Sequence, residues 1–198
     1  MKVASVLLFI TLLTKVSSAQ NDLFKCAEKN FLHMDTVLKQ GKNPWNEWHD
    51  CVIGKQMPDF SVTTISGQKI EAEKLRGKIL VINLWFIDCH PCIAELPALN
   101  KLVDAYRDKN VVFLAMTYET LKRLNVDFFP KYKFDFSLLS DADAVIDMFG
   151  GSGYPTTYII DKKGKIKEAW IGGPIDEKAE TEAYLKAKPI IDELLKAE

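Results

Sequence analysis

What this 198-residue sequence lacks narrows the field first. It has no excess of either charge: 26 basic and 27 acidic side chains leave a formal charge of -1. A strongly basic surface is the electrostatic footprint of nucleic-acid and anionic-surface binding, so neither partner is expected. There are no internal repeats and no low-complexity tracts. The N-terminal apolar run, Val3 to Leu13, is interrupted by Ser5 and Thr11 and falls well short of the ~20 residues a spanning helix needs. Histidine is scarce, with three, and there are four cysteines. Only two cysteines are close together, and no second close Cys or His pair completes the four ligands of a zinc site.

What is present begins with an address. Lys2 supplies a positive start, the apolar run follows, and Ser17-Ser18-Ala19 puts small residues where a signal peptidase reads. A secretory signal cut after Ala19 is expected, leaving a mature chain that is not membrane-embedded. The alternative is an uncleaved anchor. Cys26 follows Leu-Phe-Lys rather than small residues, which argues against a lipoprotein. Export places the chain where disulfides persist. Hydrophobic residues at 47% and charged residues at 27% suffice for a globular core.

Three segments are expected: signal 1–19, helical extension 20–53 and main domain 54–198. In the extension, Phe24, Ala27, Phe31, Met34 and Leu38 recur at helical spacing and Gly41 stops the helix. Residues 45–51 show no clear period. Cys26 and Cys51 flank this unit and are expected to form a structural disulfide, since the compartment oxidises and the other two cysteines form their own motif. Two buried free thiols acting as small apolar residues are the alternative.

Beyond Gly54, short strands are expected at 59–65 and 68–71, then a buried strand at 79–87. A helix over 91–108 should kink at Pro97, which cannot donate to the Ile93 carbonyl. A strand at 111–117 completes a right-handed crossover. A helix over 119–130, a strand at 136–139 and a helix at 142–149 follow. Strands at 154–161 and 165–171 and a helix at 176–196, broken or bent at Pro189, close the chain. This order gives an α/β fold with a mixed sheet and helices on both faces.

The centre of the sequence is Ile79 to Asn100, ILVINLWFIDCHPCIAELPALN. Its apolar strand stops at Asp88, and Cys92, Leu96, Leu99, Val103 and Tyr106 then recur at helical steps. C-H-P-C therefore sits at a strand–helix junction, the setting of a dithiol redox site. Cys89, at the helix start, meets unpaired amides and the positive end of the dipole, which favour its thiolate. It is the expected nucleophile, and Cys92, one turn in, the resolving thiol. Pro91 fixes the first turn. His90 as a cation would stabilise the Cys89 thiolate; as an exposed neutral ring it would tune little.

Four pieces of the sequence, GKQMPDFSVTTISGQKI, LRGKILVINLW, CHPCIAELPALN and GYPTTYIIDKKGKI, occur in an order that resembles the TlpA/ResA-type thiol-disulfide oxidoreductases, the exported thioredoxin-fold enzymes of bacteria. The resemblance runs from about Gly54 to the C-terminus. It implies a thioredoxin fold with an N-terminal β-hairpin, and a reducing activity fed by a membrane thiol donor and spent on disulfide-containing client proteins. No cofactor and no metal are expected. Glu95 matches a glutamate that lies near the buried cysteine and assists its proton transfers; Asn83 stands where thioredoxin has an aspartate. Pro155 resembles the cis-proline facing the dithiol, with Tyr154 offering backbone groups to an extended substrate. Trp85 resembles the tryptophan below the motif. Asp88 stands where the family often has Trp, and Tyr154 where it often has Val or Ile. The extension from Asn21 to Cys51 lies outside the core family pattern. Two other readings stand beside this one: a copper-binding chaperone using both thiolates and His90, and a peroxiredoxin-like peroxidase, although Ile82 to Cys89 lacks the Pro-x-x-x-Thr-x-x-Cys setting.

Overall fold

The structure, a computed structural model, describes residues 4–151 and 153–197. Residues 1–3 of the expected signal peptide lie outside the described residues, and side chains are described only from Asp22 onward. The backbone of Ala4–Lys39 is one helix, α1. Gly41, at φ 67°, adopts the left-handed conformation that ends it.

Five strands form the central sheet in the order β5-β4-β3-β6-β7. They are β3 (Ile79–Leu84), β4 (Val111–Met116), β5 (Ser137–Leu139), β6 (Thr156–Ile160) and β7 (Ile166–Ile171). β3, β4 and β5 run parallel, and β6 and β7 run antiparallel to their neighbours. This is the mixed sheet expected from the order of elements. A separate hairpin, β1 (Ser61–Thr63) with β2 (Lys69–Glu71), precedes it. The Ile65 amide bonds the Leu138 carbonyl and ties the hairpin to the β5 edge.

All six residues of β3 are buried, so period-2 alternation divides them between two cores. Leu80, Ile82 and Leu84 face one cluster, with Leu114, Tyr158 and Ile160. Ile79 and Val81 face the other, with Trp85, Phe113, Ala115 and Ile159. The first face is covered by the C-terminal part of α1, by α2 (Asn46–Val52) and by α6 (Asp143–Met148). The second is covered by α3 (His90–Ala94), α4 (Leu96–Tyr106) and α7 (Ala179–Lys196). Pro189 lies within α7 without dividing it.

Several element boundaries differ from the sequence reading, among them the hairpin strand expected at 59–65, which spans Ser61–Thr63, and the last helix, which starts at Ala179; four differences bear on the site. The central strand stops at Leu84, not Ile87: the Ile87 amide bonds the Glu119 side chain and the Cys89 amide bonds the Phe86 carbonyl, so residues 85–89 leave the ladder. The motif helix is two helices meeting at Glu95, because Pro97 has no amide for the Ile93 carbonyl. The 119–130 helix is one turn, α5 (Leu121–Arg123), followed by a wider i to i+5 turn over Leu124–Phe128. β6 starts at Thr156 and leaves Tyr154 and Pro155 outside the ladder. The short helix α2, where no period was evident, forms because Trp48 and Val52, four residues apart, both bury against the sheet.

The extension is packed into the first core. Leu23, Trp48 and Val52 are fully or almost fully buried there, and the Trp48 ring lies 5.8 Å from that of Tyr158. Gly150 has φ 66°, and a Cβ on it would sit 2.7 Å from the Leu23 carbonyl oxygen, so only glycine allows α1 this approach. Cys26 and Cys51 are joined by a disulfide with Cα atoms 5.6 Å apart. His49 reaches β7 through a 2.7 Å contact between Nε2 and Glu168.

Candidate active site

Three chain segments converge at one end of the sheet because of its registers. Leu84 pairs with Met116 on one side and Thr156 on the other. The residues after β3, the residues after β4 and the residues before β6 therefore share one rim. The C-H-P-C motif stands on that rim.

Cys89 caps α3, and its sulfur accepts the Cys92 amide at 3.3 Å. The two cysteines form a disulfide with Cα atoms 5.2 Å apart. Both cysteines are buried, Cys89 at 5% and Cys92 at 1% exposed. Pro91 lies in the first turn, where no helix amide is needed, and His90 is exposed beside it. Trp85 is fully buried below the motif, 4.5 Å from the Phe128 ring and edge-on to Phe134 at 5.5 Å. The Tyr154–Pro155 bond is cis. Tyr154 packs with the cluster that holds both motif cysteines.

Glu95 is 2% exposed at the junction of α3 and α4. Its Oε1 accepts 2.9 Å from Asn83 Nδ2, which also donates to Thr157 Oγ1 at 3.1 Å. Burial raises the carboxyl to about 8, outweighing the lowering by the Asn83 hydrogen bond and by Lys186. With the Cys89–Cys92 disulfide closed, burial therefore favours the protonated Glu95 at neutral pH. Asn83 offers it a donor and no competing charge.

Sequence reasoning missed two residues here. Glu119 is 3% exposed after β4; it accepts from the Ile87 amide at 3.3 Å and from Arg123 Nη1 at 2.8 Å. Arg123 in turn donates to Asp88 Oδ2 at 2.5 Å, beside the first cysteine. The loop from β3 to Cys89 is thus held by a carboxylate and a guanidinium from another segment. The Glu119 and Arg123 spacing of four was the one visible signal, and it reads as an ordinary helical ion pair.

The other histidines are engaged in the extension: His33 with Glu47, and His49 with Asp50 and Glu168. Among the described residues no group of three or more His, Cys, Asp or Glu side chains could hold a metal ion.

A model of the AhpC/TSA family matches residues 53–169. The thiol-disulfide oxidoreductase ResA of Bacillus thuringiensis (strain Al Hakam) is 36% identical over 135 residues, 68% of this chain and 77% of that protein. The thioredoxin-like protein YneN of Bacillus subtilis (strain 168) is 35% identical over 122 residues, 60% of this chain and 71% of its own. Among solved structures, a thiol:disulfide interchange protein of the thioredoxin family from Chlorobium tepidum TLS superposes with a TM-score of 0.58 at 20% identity, covering 71% of this chain and 95% of its own. StoA from Bacillus subtilis gives 0.54 at 24%, covering 66% and 96%. Together with a disulfide-bonded C-H-P-C at the head of a helix, these findings establish that the chain belongs to the AhpC/TSA family of thioredoxin-fold proteins, as a thiol-disulfide oxidoreductase of the ResA type.

Proposed function

We propose that the protein is exported, is released by cleavage after Ala19, and works in the envelope as a reductant of client disulfides, recharged by a membrane thiol donor. The observation that carries the reading is the dithiol at the head of α3: the Cys89 sulfur caps the helix and accepts the Cys92 amide, and Cys92 is buried one turn in.

In the forward half-cycle the Cys89 thiolate attacks one sulfur of the client disulfide. The client S–S bond breaks, a mixed disulfide forms, and the client's other sulfur leaves as thiolate. Cys92 then loses its proton and attacks the Cys89 sulfur. The second client thiolate departs and takes a proton. The client gains two electrons from the dithiol and two protons from solvent, and Cys89–Cys92 is left oxidised. The donor dithiol reverses these steps on the protein. Glu95, three residues after Cys92, holds a proton in the disulfide form; it is proposed to give that proton to the departing Cys92 sulfur when the donor opens Cys89–Cys92 and, left ionised in the reduced protein, to take it back when Cys92 attacks. Tyr154, outside the ladder at the cis-proline, offers its backbone to an extended client.

Insulin reduction with dithiothreitol tests the activity: wild type should accelerate precipitation, and Cys89→Ser should abolish the acceleration. Equal rates for the two would sink the reading. Cys92→Ser should accumulate mixed disulfides through Cys89 in envelope extracts, and their absence there would remove the client role.

A further inference from the structure

The rim beside the dithiol is aromatic. Phe86, after β3, stacks on Tyr118, after β4, at 5.5 Å and 27°. Tyr154, before β6, meets both edge-on, at 5.2 Å and 6.0 Å. None of the three is fully buried, and Tyr118 is 38% exposed. Core packing does not require three rings at a solvent edge, and such a surface is typical of recognition sites. The rim is continuous with the motif, because the Phe86 carbonyl accepts the Cys89 amide.

One side of this rim is acidic. The Ala142 amide bonds the Thr117 carbonyl, which places Asp143 and the start of α6 directly beside Tyr118. The Tyr154 hydroxyl lies over Gly151, just beyond the end of the same helix. Asp143 and Asp147, one turn apart, make no ion pair among the described residues. Asp143 acts on both tyrosines and Asp147 on Tyr154. Arg123, the cation of this region, is already engaged by Asp88, Glu119 and Asp127.

Building on the reductase reading, we propose that Phe86, Tyr118 and Tyr154, with Asp143 and Asp147, form a client-selecting surface. Its occupant is an extended cysteine-bearing segment with an aromatic or aliphatic side chain and a lysine or arginine next to the disulfide. The apolar group covers the rings, and the cation meets the two aspartates they leave unbalanced.

The test is the rate at which the reduced protein cleaves four peptides of equal length. Each is closed by one disulfide and flanked by Phe-Arg, Phe-Glu, Ala-Arg or Ala-Glu. In low salt, kcat/KM should favour Arg over Glu by about fivefold and Phe over Ala by about fivefold. The Arg preference should shrink in high salt and approach unity in Asp143→Asn/Asp147→Asn. The Phe preference should shrink in Tyr118→Ser while the Arg preference remains. Equal rates for all four peptides, or a preference for Glu, overturn the proposal if wild type still exchanges with oxidised glutathione. If glutathione exchange is absent as well, the underlying reductase reading is what fails.

Discussion

In the oxidised protein, burial favours a proton on Glu95 at neutral pH that an unfolded chain would release. Its carboxyl stands at about 8, raised by burial, against about 4.3 for a free glutamate. Between these values the folded state binds one more proton than the unfolded state, so stability falls as pH rises, by about 1.4 kcal/mol per pH unit at the steepest. Below about pH 4 both states are protonated and the dependence vanishes. Glu95→Gln keeps a neutral side chain of the same shape and should flatten the profile between about pH 5 and 8. Denaturant midpoints of the oxidised protein across that range are the measurement; an unchanged slope would mean that Glu95 is ionised in the fold. The sequence could indicate Glu95 because it lies one turn after Cys92 in a recognisable motif. It could not indicate Arg123, whose contact with Asp88 spans 35 residues and depends on how β4 feeds into α5. Local spacing says nothing about such a meeting.

Elements were legible where burial imposes a period and obscure where a side chain intervenes. The hydrophobic strand 79–84 and the break near Pro97 follow directly from residue type. The end of β3 does not, because Glu119 takes the Ile87 amide that an alternating apolar sequence would have assigned to a ladder. The helix α2 has seven residues, too few for a periodic signal to emerge, yet its two buried residues anchor it. The link from α1 to α2 is the Cys26–Cys51 bond, 25 residues apart in sequence. Closing a loop of that size restricts the unfolded chain by about 3 kcal/mol. Cys26→Ala/Cys51→Ala should lose roughly that much in chemical denaturation and still reduce insulin. A loss of activity at temperatures where the variant remains folded would show that the extension shapes the rim.

At the scale of the whole molecule, the sequence divides at Gly54 but the hydrophobic core does not. Leu23, Trp48 and Val52 complete the core on the sheet face shared with Tyr158 and α6. Those three side chains alone correspond to about 5 kcal/mol or more of burial. A chain starting at Gly54 should therefore unfold at clearly lower denaturant and bind a hydrophobic dye while native. An unaltered midpoint without dye binding would show the extension to be a mere appendage.

The two-faced sheet has a chemical consequence. Cys26 belongs to the cluster on one face, and Cys89 and Cys92 to the cluster on the other. Five hydrogen-bonded strands stand between a sulfur pair made to exchange and a sulfur pair made to stay. The sheet acts as an insulator: within one folded molecule the sulfurs of the motif cannot reach the staple, so thiol-disulfide exchange at Cys89 and Cys92 is kept apart from the Cys26–Cys51 bond.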